Sequence, residues 1–298
     1  MSARSCRALC LPWAVAAALT HAPAWGADTR LGLQTDFGYD SNVNRAISDK
    51  RADSYGELEG YAARSFLTGP RAGLVLRAAL RAREYFTYSD LSNLGLSART
   101  AWRFQPGSGF TSPWLEAAFQ GEALRFRDSP IRDGAIVSAS LSAGKWFSDR
   151  LRGVASAAYD RRFASEGDVY DLSIPKVWAS LDWRLNDSLT LYGTGTLMGG
   201  QQVFTARSVR APGLGWSAAS LGTSYAASAK DPVFNGSDER FTAYRADART
   251  TVLEVGVNWA LGGNHALDLG LARFQGKADG GPSYDGDTAR AGWLYRFR

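Results

Sequence analysis

The sequence has few cysteines, histidines and lysines, and no long apolar run after its N-terminal segment. Its two cysteines are Cys6 and Cys10, so a disulfide-stapled fold is excluded for the rest of the chain. No later segment is long and apolar enough for a transmembrane helix, which needs about 20 residues. Arginine dominates the basic side, and the excess of 34 basic over 29 acidic side chains is too small to argue for nucleic-acid binding.

The first 26 residues have the features of a secretory signal peptide in the usual order. Arg4 and Arg7 form a positive start, residues 8–19 are apolar, and Ala24 and Gly26 supply small residues before a cleavage site. We predict cleavage before Ala27. The exported chain is then periplasmic, secreted, or an outer-membrane barrel whose hydrophobicity is hidden by alternation.

Alternation of side chains is the main structural signal. From Ala72 to Arg83, one face of an extended strand would carry only alanine and leucine, while the other would carry Arg77, Arg81 and Arg83. The next stretch repeats this pattern, with Leu94, Leu96 and Trp102 opposite Arg99 and Arg103. The same two-residue period continues through residues 137–143, 177–184 and 253–259. These stretches are predicted to be half-apolar β-strands.

A soluble β-sandwich also alternates, but two features favour a membrane barrel. The predicted strands have about a dozen residues, against five or six in soluble sheets. Their apolar faces end in aromatics such as Trp102, Trp183 and Trp259, as expected at a membrane–water interface. We therefore predict an all-β fold over residues 27–298, a transmembrane antiparallel up-and-down β-barrel of about 14 strands. The higher count includes a weak strand at 201–209, and 12 strands is the alternative.

Connection lengths divide the predicted barrel into two rims. Short turns at 67–70, 148–149, 186–187 and 261–265 predict a periplasmic rim, and longer polar segments predict an outer rim. The longest outer loop is predicted to be residues 40–52, so a long constriction loop is not expected.

The polar face of the strands predicts the lining of the barrel lumen. The candidate lumen-lining residues are Arg77, Arg81, Arg83, Arg99, Arg103, Glu116, Glu122, Asp182 and Arg184. One hypothesis is a water-filled porin in which an arginine ladder faces carboxylates and gives a mild anion preference. The other hypothesis is a paired network that closes the lumen of an export or assembly component. A polar lumen by itself is what every barrel needs, and it favours neither.

The segment GYDSNVNRA (38–46) contains the beginning of a calcium-loop pattern, with Asp40, Asn42 and Asn44 at alternate positions. A complete loop needs glycine at position six and glutamate at position twelve, but Arg45 and Arg51 stand there. No metal site is therefore predicted. We expect the Asp and Asn side chains to stabilise a turn by bonding to the backbone.

The opening strand LGLQTDFGYDSNVNRA resembles the entry to barrels of the surface lipoprotein assembly modifier family, and related openings occur in barrels linked to exopolysaccharide export. The resemblance implies a fourteen-stranded barrel, a role in moving lipoproteins to the cell surface, and a functional motif at Asp40, Asn42 and Asn44. The family's periplasmic helical-repeat domain has no counterpart in the predicted organisation.

The final strand places Trp293, Tyr295 and Phe297 on one face and Arg290, Arg296 and Arg298 on the other. This pattern resembles the C-terminal signal that the outer-membrane barrel assembly machinery reads, although here the phenylalanine is penultimate. Outer-membrane lipid and this machinery are the expected partners of a monomeric barrel. Export would add a periplasmic partner and a cargo, and no nucleic acid is expected.

Catalytic chemistry has little support in the sequence. His21 lies in the predicted signal peptide and His265 lies in a predicted turn, so a neutral-pH general base is missing from the lumen. We expect no enzyme, no catalytic residue, no cofactor and no metal. The predicted function is transport, export or surface assembly across the outer membrane of a Gram-negative cell, as a lipoprotein or polysaccharide export component. A passive diffusion porin is the alternative, and an outer-membrane enzyme is the least favoured reading.

Overall fold

The computed structural model describes residues 28–211, 215–218, 225–234, 240–279, 281 and 283–297. The predicted signal peptide and Arg298 lie outside these residues. The strands are β1 (Asp28–Asp40), β2 (Asp53–Gly69), β3 (Ala72–Tyr85), β4 (Asn93–Phe104), β5 (Trp114–Phe126), β6 (Gly134–Trp146), β7 (Leu151–Ala164), β8 (Leu172–Arg184), β9 (Leu189–Met198), β10 (Gln201–Ala211), β11 (Gly215–Ala218), β12 (Ala227–Lys230), β13 (Phe241–Gly262), β14 (His265–Ala278) and β15 (Ser283–Phe297). No helix in the described part of the chain is long and apolar enough to cross a membrane.

Twelve of these strands close into a ring. Strands β1 to β9 pair with their neighbours in antiparallel order, β9 pairs with β13, and β13, β14 and β15 complete the circuit. The ring is closed by β15 against β1, in a register that runs from Leu31 opposite Phe297 to Asp40 opposite Thr288. The predicted all-β antiparallel barrel is confirmed. The ring itself has the alternative count of twelve strands, and further strands lie outside it.

The two faces of the ring differ as the alternation predicts. Apolar side chains such as Leu80, Phe119, Leu141 and Leu253 point outward and are more than half exposed. Their neighbours along each strand point inward and are mostly polar or charged. An exposed apolar outer face suits a hydrocarbon environment, whereas the polar inner face needs water or ion-pair partners.

The largest departure from the sequence analysis lies between β9 and β13. The predicted weak strand at 201–209 is a strand, β10, but it is not part of the ring. It pairs instead with the N-terminal part of β13 (241–247), which also pairs with β12. The prediction that residues 40–52 form the longest outer connection is therefore wrong. The longer connection was missed because its strands alternate as barrel strands do.

The two ends of the ring are named by their connections. The turn rim carries both terminal strand ends and the connections 70–71, 105–113, 147–150, 185–188 and 263–264. The loop rim carries 41–52, 86–92, 127–133, 165–171, 279–282 and the excursion from 199 into β13. All four predicted short turns lie at the turn rim. Aromatic side chains are frequent there, and Trp102 stacks on Phe104 with ring centroids 5.9 Å apart.

Buried apolar side chains concentrate at the loop rim. One cluster joins Leu91 to Val233, Phe234 and Phe241. A second joins Val169 and Tyr170 to Ala243, and a third surrounds Phe204 and Phe274. Each cluster packs a side chain of β13, or of the segment leading into it, against another part of the loop rim. The hydrophobic core of this molecule therefore covers one end of the barrel.

Candidate functional site

The candidate site is the inner wall formed by β2 to β5. Seven predicted lumen-lining residues lie on its inner face, on the strand parity opposite the exposed Leu80, Trp102 and Leu115. These residues are Arg77, Arg81 and Arg83 on β3, Arg99 and Arg103 on β4, and Glu116 and Glu122 on β5. Neighbouring strands are about 4.8 Å apart, so long arginine side chains reach carboxylates on the next strand or the one beyond.

Glu116 and Glu122 each accept hydrogen bonds from this wall. The Arg99 and Arg103 guanidinium groups approach different oxygens of Glu116, both at 2.7 Å. Arg81 donates to Glu122 at 2.6 Å across the intervening strand β4. The two glutamates serve different arginines, and their separation of six residues along β5, about 20 Å, is too large for a pair of catalytic carboxylates.

Two further glutamates complete the network and were missed by the sequence analysis. Arg83 Nε donates to Glu57 on β2 at 2.6 Å, and Arg77 bonds to Glu59 on the same strand. The signal was present as Glu57-Leu58-Glu59, which alternates in the same way as the arginine strand. The carboxylates thus lie beside the arginines, on neighbouring strands. The porin hypothesis predicts them on the facing side of the lumen, and in this respect it is wrong. Five arginines and four glutamates leave this wall with a small positive excess.

Asp182 and Arg184 lie apart from the other predicted lining residues. Both are on β8 and face inward near the turn rim. Asp182 pairs with Arg152 of β7 at 3.7 Å, and the Arg184 guanidinium lies 5.4 Å from the Trp146 ring. The structure therefore places them in a second charged group, four strands away from the arginines of β4.

The inner face beyond β2, from β1 and β15 round to β9, carries a more acidic group that no strand pattern predicts. Arg290 of β15 contacts Glu254 at 3.0 Å and Asp268 at 2.9 Å. The Tyr192 hydroxyl donates to Asp268 at 3.1 Å and accepts from Arg290 at 2.9 Å. Asp36 on β1 lies near these groups and accepts from Gln34 at 2.7 Å. No single-strand pattern reveals this group, since its members come from β1, β9, β13, β14 and β15.

The inner wall is not packed shut by its own side chains. Arg99 remains 35% exposed and Arg103 52% exposed, although both point into the barrel and both are ion-paired. Taking such charges out of water costs several kcal/mol for each ion, which pairing repays only where further hydrogen bonds satisfy the remaining polar atoms. The exposed fractions therefore indicate an interior that water reaches.

The loop motif forms a hydrogen-bonded turn at the loop rim. The fully buried Asn42 side chain donates to the carbonyl oxygens of Ala46 and Asp285 at 2.9 and 2.8 Å, and accepts from the Ala46 amide at 2.9 Å. Asp40 accepts from the Asn42 amide, and Asn44 accepts from the Arg51 amide. These are the side-chain to backbone bonds that the sequence analysis expects of a turn. No group of three potential metal ligands occurs in the described residues.

The C-terminal aromatic residues lie on the outer face of β15. Trp293 stacks on Tyr295 at 5.9 Å, and Tyr295 meets Phe297 edge-on at 4.7 Å. His265, at the start of β14, stacks on Trp293 and contacts the Tyr295 ring at a tilt. The histidine is thus part of an outward aromatic row at the turn rim and does not face the lumen.

Known proteins resemble this chain in structure. No protein-family profile and no curated protein sequence matches it. An outer-membrane channel from Pseudomonas putida F1 superimposes with a TM-score of 0.53 at 12% identity, covering 90% of this chain and 96% of the channel. The KdgM porin, solved with disordered oligogalacturonate, gives a TM-score of 0.46 at 9% identity, covering 90% and 99%. The NanC porin gives 0.47 at 8% identity, covering 88% and 98%. The fold of this chain is therefore an antiparallel β-barrel like that of the outer-membrane channel.

Proposed function

We propose that the chain forms an outer-membrane channel for small hydrophilic solutes. The observation that carries this proposal is the inner wall, where ion-paired arginines remain a quarter to a half exposed inside a closed ring, while their glutamate partners are 11–17% exposed. Water-filled barrels use such side chains to hold their lumen open to polar solutes. The outward belt of alanine, leucine and aromatics places the ring in the bilayer.

Ion selectivity in this proposal follows from paired charges. Because each arginine of the β2–β5 wall has a carboxylate partner, the net field is small and the native channel has a mild anion preference. Removing one sign leaves the other unpaired. An Arg77→Gln, Arg81→Gln, Arg83→Gln variant is therefore expected to favour cations, and a Glu57→Gln, Glu59→Gln, Glu122→Gln variant to favour anions more strongly.

The test is single-channel recording of the purified protein and both variants in planar bilayers under a salt gradient. Opposite shifts of the reversal potential support a pore lined by this wall. Each protein is first checked by its heat-modifiable gel mobility, which reports the folded barrel. A correctly folded protein that carries no current, including after its loop-rim contacts are broken, would contradict the proposal.

Delivery to the membrane in this proposal uses the two terminal signals. The signal peptide of residues 1–26 directs export and is removed, and Trp293, Tyr295 and Phe297 present the outward aromatic row to the barrel assembly machinery. The loop rim then faces the cell exterior, and the barrel works as a monomer. No catalytic step, cofactor or metal forms part of the proposal.

A closed export or surface-assembly component is the second candidate. It is favoured by the apolar clusters at the loop rim, which cover one end of the barrel. Such a component would need a periplasmic partner and a lipoprotein or polysaccharide cargo. A folded wild type and a folded loop-rim variant that are both silent in the bilayer would support this second candidate.

A further inference from the structure

The excursion between β9 and β13 forms a cap at the loop rim. We use this name for β10, β12, Asp231, the 3-10 turn Pro232–Phe234 and the first part of β13, residues 241–247. The cap is attached to the ring at β9 and β13, which are neighbours. Its sheet places β13 between β10 and β12. The cap is therefore a small folded unit that extends from one side of the ring.

The cap contacts the connection on the far side of the ring. Phe234 meets Tyr88 of the β3–β4 connection edge-on, with ring centroids 5.1 Å apart. Leu91 of the same connection is buried in one cluster with Val233, Phe234 and Phe241. In a ring of twelve strands, β3 is six strands from β9 in either direction. Contacts between these positions mean that the cap and the facing connection meet across the mouth of the barrel.

An ion pair joins the cap to the β5–β6 connection. Arg132 donates to both carboxylate oxygens of Asp231, at 2.9 and 2.5 Å, and to the Ser129 hydroxyl at 2.7 Å. The two side chains are 7% and 0% exposed. The Arg132 guanidinium also lies 5.0 Å from the Tyr170 ring and 5.7 Å from the Phe234 ring. This almost fully buried ion pair is called the latch below.

The remaining connections of the loop rim also hold the cap. Ala46 of the β1–β2 connection forms a parallel bridge with Thr205 of β10. The Arg51 guanidinium lies 5.4 Å from the Phe241 ring. From the β7–β8 connection, the Asp171 carbonyl accepts a hydrogen bond from Arg245 at 2.7 Å. Four of the loop-rim connections thus converge on one unit.

We infer that the cap is a gate over the outer mouth of the channel and that the Arg132–Asp231 latch stabilises its closed state, so that the native channel is open for only part of the time. The inference rests on the proposed channel function and assigns its regulation to specific residues. Replacing one charged residue of a buried ion pair leaves the other charge buried and unpaired. Any conformation that returns this charge to water is then favoured. When either Arg132 or Asp231 loses its partner, opening of the cap returns the remaining charge to water.

The latch makes a double substitution informative. Replacing both charges of a buried pair by apolar residues is often neutral or stabilising, because no charge is left to solvate. Asp231→Asn should therefore open the cap, whereas Arg132→Met with Asp231→Leu should leave it closed. A general loss of loop packing would not produce this reversal.

The test measures access to the lumen from outside intact cells. A Ser140→Cys reporter on the inner face of β6, in a Cys6→Ser, Cys10→Ser background, is labelled with a membrane-impermeant maleimide. We expect Asp231→Asn to speed labelling by ~10-fold or more. Glu84→Gln is the matched control, since it breaks the exposed two-bond pair with Arg127 away from the cap. It should leave the rate unchanged.

Two results would overturn the gate. One is equal labelling of the wild type and Asp231→Asn when both show the folded gel shift. The other is fast labelling in the apolar double variant, which would mean that the charges do not latch the cap.

A second measurement separates failure of the gate from failure of the channel. In a Tyr88→Cys, Phe234→Cys variant, a short bifunctional maleimide would bridge the cap to the facing connection. Loss of current on bridging supports the gate. Unchanged current overturns the gate but leaves the channel standing. Latch-dependent labelling with no current in any variant keeps the gate and rejects the channel.

Discussion

Single buried polar residues determine the shape of the loop rim. Asn42 is a clear case, because its amide group is fully buried and bonds to two backbone carbonyls and one backbone amide. If a carboxylate oxygen replaced the amide nitrogen of Asn42, only part of this hydrogen-bonding pattern would remain. A carboxylate accepts the Ala46 amide, but it cannot donate to the carbonyls of Ala46 and Asp285.

We therefore predict that Asn42→Asp loosens the β1–β2 connection. Two buried carbonyls would lose their donor and a charge would be buried, at a cost of about 1–3 kcal/mol for each unsatisfied group. Hydrogen exchange followed by mass spectrometry should show faster exchange in peptides that cover residues 41–52. Ser48→Ala, at an exposed position of the same connection, is the control. Unchanged protection in Asn42→Asp would mean that these bonds do not hold the turn.

Tyr170 should report the closed cap through its titration. Burial raises the pKa of its phenol from 10.0 to about 12, with Arg132 lowering and Asp231 raising it in smaller measure. The folded state favours the neutral phenol. The contribution of Tyr170 to the free energy of unfolding is therefore complete below pH 10 and is lost as the pH rises toward 12. The difference in tyrosinate absorbance between wild type and Tyr170→Phe should therefore titrate near pH 12. In urea-unfolded protein it should move to the ordinary value, and a folded midpoint near 10 would contradict the buried position.

At the scale of strands, glycines on the inner face make room for aromatic rings. A side-chain carbon at Gly256 of β13 would lie 2.3 Å from the Tyr192 ring and 2.4 Å from the Leu269 carbonyl oxygen. The Tyr192 hydroxyl is held by Asp268 and Arg290, so the ring has little freedom to move away. The Tyr192, Asp268 and Arg290 group of the inner wall thus requires glycine at position 256, two strands from Arg290.

We predict that Gly256→Ala destabilises the barrel by about 1–3 kcal/mol, the usual cost of overpacking. Unfolding in urea, followed by the heat-modifiable gel shift, should show a lower midpoint. Gly60→Ala on β2 is the matched control, because nothing lies within 4 Å of the added carbon. Equal midpoints for the two variants would show that the Tyr192 ring can be displaced without cost.

Strand alternation could be predicted from the sequence because the two faces of a barrel strand meet opposite environments. Arg77, Arg81 and Arg83 were placed on the inner face on this basis. The partners of these arginines were harder to predict, since Glu57 and Glu59 become neighbours only through the register of β2 against β3. Register is a property of two strands, and the pattern of one strand does not contain it.

The whole molecule shows the other limit of sequence patterns. Strand β10 alternates like a barrel strand, yet it belongs to the cap and leaves the ring with twelve members. The latch could not be predicted either, because Arg132 and Asp231 are 99 residues apart and each looks like a solvated loop charge. Charge and alternation indicate which environments a segment tolerates. Whether a strand joins the ring or the cap depends on its pairing with distant segments.

The closure of the ring by twelve strands can be tested where β9 meets β13. Leu191 and Val257 are directly opposed there and both point outward. Opposed residues of antiparallel strands have Cα atoms about 4.5–5.5 Å apart, within the range of a disulfide. In a Cys6→Ser, Cys10→Ser background, Leu191→Cys with Val257→Cys should therefore form a disulfide, seen as a linked peptide by mass spectrometry. Leu269 lies in the same row on β14, two strands from Leu191 and about 10 Å away, so Leu191→Cys with Leu269→Cys should not. A ring that included β10 and a further strand would separate Leu191 from Val257, and the first pair would then stay reduced in the folded barrel.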